Sequence, residues 1–221
     1  CSSDLILRTI MKKTLLVIMI TMLTFVGKSY AEMSYGVSLA YTKVNADGSE
    51  TEGGEKSNGS TDNKVFIPSL FAEYAYSDTV SIGLDYIPMK ADVSDKTNKR
   101  TDVETSVSGT TTSTTTSRTQ SAQAELSNHV TLYSNYMLTD TAFVKAGVAF
   151  VQLNTEESLG TGSNYGNEDI YGAVIGIGSK QGNSRFEIVY TDYEDVSLTS
   201  TVARTGVTTN NKIDADLDTL A

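Results

Sequence analysis

Between Val65 and Met89 the chain alternates with a period of two on either side of Ser77-Asp78-Thr79. One set is Phe66, Pro68, Leu70, Ala72, Tyr74 and Tyr76, then Val80, Ile82, Leu84, Tyr86 and Pro88. The other is Ile67, Ser69, Phe71, Glu73 and Ala75, then Ser81, Gly83, Asp85 and Ile87. Period two predicts a pair of strands joined by a tight turn, with one face against an apolar medium. In a soluble sandwich that medium is a core. In a membrane barrel it is lipid, and the other face lines a narrow lumen.

The same pattern recurs along the chain. A first strand is predicted at Met33–Lys43, where Met33, Tyr35, Val37, Leu39 and Tyr41 alternate with small residues. A fourth spans about Gln123–Leu138, with Leu126, Val130, Leu132 and Tyr136 on one face. In a fifth, Phe143–Leu153, Val144, Ala146, Val148 and Phe150 point out and Lys145, Gly147 and Ala149 point in, while Val151 and Leu153 blur the alternation. A sixth, Asp169–Lys180, places Tyr171, Ala173, Ile175 and Ile177 opposite Gly172, Gly176 and Gly178, glycines that let an inner wall close around bulky neighbours. The seventh is Arg185–Glu194, and the eighth begins at Lys212, where Ile213, Ala215 and Leu217 alternate with three aspartates.

The connections separate the two solvents. Long polar loops are expected at 44–63, 92–121, 154–168 and 195–211, and short turns at 77–79, 139–141 and 181–184. The second long loop carries a Ser/Thr tract from Thr105 to Thr119 with the composition of an extended loop. Long connections all at one end are the signature of an outer-membrane barrel, not of a sandwich. The expected fold is therefore all-β: an up-and-down antiparallel transmembrane β-barrel of eight strands. Its aromatics sort into two girdles at the lipid interfaces, drawn from Tyr35, Tyr41, Tyr74, Tyr76, Tyr86, Tyr136, Phe150, Tyr171 and Phe186.

Composition agrees. The chain of 221 residues has a formal charge of −10 and no basic patch, which argues against a nucleic-acid partner. Its single Cys1 leaves no internal disulfide and no cysteine-based zinc site. Lys12 and Lys13, the apolar run Leu15–Val26 and Ser29-Tyr30-Ala31 form a secretory signal peptide over residues 11–31. Residues 1–10 read as a segment upstream of the natural start, and residues 32–221 as the barrel.

YAYSDTVSIG has an internal echo in the strand-turn-strand layout of NYMLTDTAFVKAG, and the style of the hairpin FAEYAYSDTVSIGLDY carries a family likeness. In architecture more than in motif, residues 32–221 resemble the small outer-membrane β-barrels of Gram-negative bacteria, the OmpA/OmpX/OmpW type. The resemblance implies export to the periplasm, residence in the bacterial outer membrane, and outer-membrane lipid and lipopolysaccharide as partners. Such proteins usually end in an aromatic residue, whereas this chain ends Asp218-Thr219-Leu220-Ala221, so the last strand is expected to stop short of its natural end.

Inward charges on this reading are Glu73, Asp85, Glu125, Lys145, Arg185 and Glu187 with the trio Asp214, Asp216 and Asp218. An eight-stranded barrel is barely wider than its side chains, so these should pair into a plug. The competing reading is a narrow acidic, cation-preferring pore for small ions or solutes. His129 is the only histidine; Ser127 and Thr131 share its predicted face, but no nucleophile motif accompanies them. The acids Glu50, Glu52, Glu55 and Asp62 lack an EF-hand pattern and read as a solvated loop. No metal, cofactor or catalytic residue is expected. The function expected is that of an integral outer-membrane protein, structural or porin-like. The alternative is a surface adhesin or receptor acting through its long loops, ahead of any lipase or protease.

Overall fold

A computed structural model describes residues 33–52, 55–93, 98–108, 112–158, 164–200 and 212–221. The expected leader, 11–31, and the segment before it lie outside the described residues. The regular structure described is all strand: β1 (Met33–Glu52), β2 (Glu55–Ala75), β3 (Val80–Ile87), β4 (Ala91–Asp92), β5 (Asn98–Ser108), β6 (Thr112–Met137), β7 (Ala142–Ser158), β8 (Asn167–Gln181), β9 (Ser184–Tyr193), β10 (Val196–Thr199) and β11 (Lys212–Leu220).

Every pairing is antiparallel, in the order β1-β2-β3-β6-β7-β8-β9-β11, and β11 returns to β1 through Lys43↔Leu220 to Thr51↔Lys212. That is a ring of eight. β4 and β5 continue β3 along β6, and β10 continues β9 along β11.

Two turns at the lower end share one chemistry. The Ser77 hydroxyl accepts from the Val80 amide at 3.0 Å, and the Thr139 hydroxyl accepts from the Ala142 amide at 2.9 Å. These side chains satisfy turn amides that the ladder does not use.

At the other end the first two expected loops are largely strand among the described residues. Residues 44–63 form a hairpin paired from Val44↔Asn63 to Glu52↔Glu55. The Ser/Thr tract pairs from Asn98↔Ala122 to Ser108↔Thr112. A two-sided polar ribbon needs no apolar face when water bathes both sides, and threonine favours the pleated backbone. With 20 residues, β1 runs about 65 Å at ~3.3 Å per residue, so a tilt near 40° gives about 50 Å of height. That is twice the ~25 Å apolar band of an outer-membrane barrel.

The decisive feature is a change of phase with height. In the lower half the large apolar residues point outward: Tyr35 is 85% exposed and Phe186 77%, with Val37, Leu39, Ile175, Ile177 and Ile188 also exposed. In the upper half the apolar residues turn inward. Val44, Leu126, Val151, Leu153, Ile170, Val174, Tyr193, Val196, Leu198 and Leu217 form one buried cluster. The strands do not rotate; the hydrophobic set changes parity. In β1 it passes from Tyr41 outside to Val44 inside, and in β7 from Phe150 to Val151. Val151 and Leu153 are thus inward core residues, which resolves their blurred sequence pattern.

In β6 a bulge changes the parity as well. The register against β7 shifts between Ser127 and Val130, and Asn128 adopts a φ of 52°, a left-handed conformation that asparagine tolerates.

Candidate functional site

The lower interior is built on small residues. Glu73 lies opposite Gly83, Lys145 opposite Gly176, and Glu187 opposite Gly178. A Cβ on Gly36 would meet the Phe71 ring at 2.8 Å, and Cβ atoms on Gly83 and Gly178 would collide with the Tyr133 and Phe143 rings. The glycines therefore make room for inward charges and for three inward aromatics.

Arg185 is the hub. Its Nη1 donates to Glu73 Oε2 at 2.6 Å, and its Nε pairs with Glu187 Oε1. Glu187 Oε2 pairs in turn with Lys145 Nζ. Glu73 Oε2 also accepts from Asn135 Nδ2 at 2.8 Å and from the Tyr133 hydroxyl at 3.3 Å. The guanidinium carbon lies 4.7 Å from the Phe143 ring centroid and 5.6 Å from that of Tyr133, while Lys145 Nζ lies 4.2 Å from the Tyr133 centroid. On the opposite wall Ser69 donates to Asp85 Oδ2 at 2.7 Å, and its hydroxyl lies 2.6 Å from that of Ser38. One polar sheet of side chains thus crosses the barrel from β1 to β9.

Glu73, Asp85, Lys145, Arg185 and Glu187 meet in that layer. The other four expected lumen charges do not. Asp214, Asp216 and Asp218 face outward, because Ala215 and Leu217 take the inward positions opposite Gly48 and Ala46, with Leu217 only 4% exposed. Above the apolar band the outside is water, so carboxylates gain solvation there and aliphatics gain burial inside. Glu125 also faces outward, bound to Lys90 at 2.7 Å, because the Asn128 bulge puts Leu126 inward and its neighbour outside. The interior layer then holds three acids and two bases, so most of the acidic excess that suggested cation preference is gone.

On the outer surface above the band, Asp216 is pushed above its ordinary value by partial burial and then by the carboxylates of Asp195, Asp192, Asp218 and Asp47. Asp214 is held below its ordinary value by a hydrogen bond from Lys212, 3.0 Å away. Hydrogen bonding to Glu125 raises Lys90.

His129 points inward above the polar layer, with Nε2 2.9 Å from the Tyr193 hydroxyl. Ser127 does not join it. Its hydroxyl accepts from Asn154 Nδ2 at 2.6 Å on the far side of the bulge, so the two do not form a nucleophile–base pair.

Among the expected interface aromatics, Tyr35, Tyr41, Tyr76, Tyr86, Tyr136 and Phe186 are exposed on the outer wall, and Tyr74, Phe150 and Tyr171 are half-buried there. Tyr41 packs on Phe66 and Phe150 on Tyr171, with centroids 5.0 and 5.4 Å apart. The inward aromatics Phe71, Tyr133, Phe143 and Tyr193 were not anticipated as a group. Their signal is the glycine opposite each of them.

No protein-family model matches the chain, and neither does any curated protein sequence. Solved structures do resemble it. The outer membrane protein OprG of Pseudomonas aeruginosa is similar at 13% identity and a TM-score of 0.48, over 87% of this chain and 93% of that one. The attachment invasion locus protein Ail of Yersinia pestis is similar at 9% identity and a TM-score of 0.35, over 87% and 97%. The outer membrane protease OmpT of Escherichia coli is similar at 10% identity and a TM-score of 0.40, over 85% and 94%. At such identities and scores these likenesses assign no role.

Proposed function

We propose that this chain is an outer-membrane β-barrel closed along its axis, a structural and surface protein and neither a pore nor an enzyme. The observation that carries the reading is the inversion of hydrophobic phase at one height around the barrel. An apolar exterior over a polar interior suits a wall in lipid; a polar exterior over an apolar interior suits a barrel in water. A single chain with both halves stands across a membrane interface, and the acyl chains and lipopolysaccharide of that membrane are its first partners.

Two layers oppose axial flow. The Arg185 network with its aromatic rings crosses the lower interior, beside a cavity of about 830 Å³ that Asp85, Lys145, Arg185 and Glu187 line, and the apolar core around Val151 and Ile170 packs the upper. An ion that loses its hydration in a dry aliphatic layer meets a large desolvation cost. Purified protein in a planar bilayer should give no discrete conductance; cation-selective steps would overturn the closed-axis reading.

A second reading is favoured by the upper ribbons. The β1–β2 hairpin up to Glu52↔Glu55 and the β5–β6 hairpin up to Ser108↔Thr112 are built strand pairs carried on a rigid base. They suit an adhesin or receptor surface. Shortening either hairpin by whole cross-strand pairs should abolish any binding to host or cell surfaces while leaving heat-modifiable gel mobility unchanged. Binding that survives both deletions would remove this role.

A further inference from the structure

Two of the three acids in the interior layer have a base. Glu73 meets Arg185, and Glu187 meets both Arg185 and Lys145. Asp85 has no base within ion-pair distance among the described residues, and the hydrogen bond that it accepts there comes from the Ser69 hydroxyl at 2.7 Å. The one negative charge that the layer leaves unmatched is therefore on Asp85. A half-buried carboxylate held by a single hydroxyl has given up water without gaining a counter-charge, which is an unfavourable state.

Asp85 lines the cavity of about 830 Å³, a space that suits a small organic molecule. Two kinds of wall surround the carboxylate. Phe71 lies directly opposite it on β2 and lines the same cavity, so a cation at Asp85 also meets an aromatic ring. Higher on the inner wall the lining turns aliphatic. Ile87 stands one inward position above Asp85 on β3 and Val189 one above Glu187 on β9, with Ile67, Val174 and Leu126 on the neighbouring strands.

We infer that this cavity is a binding site for a small organic amine, its one positive charge at Asp85 and its apolar body against Ile67, Ile87 and Val189. Other ligand classes fit the walls poorly. A divalent cation wants about six or more oxygen ligands, whereas Asp85 and Ser69 bring one carboxylate and one hydroxyl. A simple monovalent ion would shed its water against aliphatic side chains and gain nothing from them. An anion would add to the charge already unmatched. An ammonium group on an apolar body satisfies the carboxylate and the aliphatic wall together.

Benzylamine is the probe, and benzyl alcohol is its neutral counterpart of nearly the same shape. The full chain is refolded into phosphatidylcholine vesicles with the probe present, so binding needs no passage through the finished wall. Bound probe is measured by equilibrium dialysis, and its place by nuclear Overhauser contacts from the benzyl ring to the Ile67 and Ile87 methyls. At neutral pH benzylamine should bind about tenfold more tightly than benzyl alcohol or better, and Asp85→Asn should remove most of that factor, as loss of one charge-assisted contact does. Asp85→Glu should keep the preference for the amine. Asp216→Asn takes an acid from the outer wall and should change nothing, which separates a site from the general attraction of a cation to an acidic protein. Equal binding of amine and alcohol, or an Asp85→Asn chain that binds benzylamine as the parent does, would overturn the proposal. If Asp85→Asn does not fold, the unaltered chain decides: an amine-to-alcohol ratio near one, or no contacts to Ile67 and Ile87, overturns it equally. The site goes beyond the closed-axis reading, which planar-bilayer conductance tests by itself, so either can fail without the other.

Discussion

Replacing Arg185 by methionine tests the interior network most directly. The substitution keeps an unbranched chain among the Phe71, Tyr133 and Phe143 rings and removes the charge that meets Glu73 and Glu187. Glu187 keeps Lys145, but Glu73, 9% exposed at its side chain, loses its paired cation and keeps neutral donors, Asn135 and Tyr133 among them. Breaking a buried pair by removing one partner costs about 3–5 kcal/mol. Lost ring contacts add roughly 0.5–1 kcal/mol each. Against a usual stability of about 5–15 kcal/mol that is a large share. The double change Glu73→Gln with Arg185→Met removes both charges and leaves the Lys145–Glu187 pair in place. It should return most of the loss, since replacing a buried pair by neutral groups is often neutral or better. Urea unfolding in lipid vesicles reports both, followed by tyrosine fluorescence, because the chain has 12 Tyr and no Trp. A single variant within about 0.5 kcal/mol of the parent, or a double as unstable as the single, would refute the reasoning.

Gly83→Ala should destabilise by about 1–3 kcal/mol, because its Cβ would collide with the Tyr133 ring, and Tyr133→Ala in the same chain should remove most of that increment, read as a non-additive shift in the urea midpoint. Asp216 gives a pH dependence with a definite sign. Its folded pKa is raised above the ordinary 3.8, so the folded state holds the proton more tightly. Its contribution is intact below about 3.8 and is lost as pH rises through the folded value. Asp216→Asn should therefore narrow any fall in unfolding midpoint between about pH 3 and pH 7; an unchanged pH profile would count against the outer acidic cluster.

Much of the lower barrel was legible in the chain because lipid imposes a simple rule. One face of each strand is apolar and the other small or polar, so period two alone located Tyr35 to Tyr41, Leu70 to Tyr76 and Phe186 to Tyr190, together with the Ser77 and Thr139 turns. The five charges that meet inside were legible for the same reason: Glu73, Asp85, Lys145, Arg185 and Glu187 sit on the non-lipid phase of strands whose lipid phase is unmistakable.

Above the apolar band the rule reverses, and local pattern could not say where. Asp214, Asp216 and Asp218 carry the same alternation with Ile213, Ala215 and Leu217 whether the apolar set meets lipid or core. Only the ring, by setting Leu217 beside Ala46 and Val44 on the inner wall, decides that the aspartates meet water. Glu125 was lost to a single residue, since the Asn128 bulge exchanges inside and outside without altering composition. The stretches 44–63 and 92–121 read as loops because their sequence is polar and carries almost no apolar alternation. Their paired parts become strand through backbone hydrogen bonds, a contribution that side-chain hydrophobicity does not record. The sequence by itself determined the strands, their lower turns and the membrane-like face. Tertiary closure decided which solvent each face meets, and therefore that the interior holds a nearly balanced ion-pair layer beneath an apolar core.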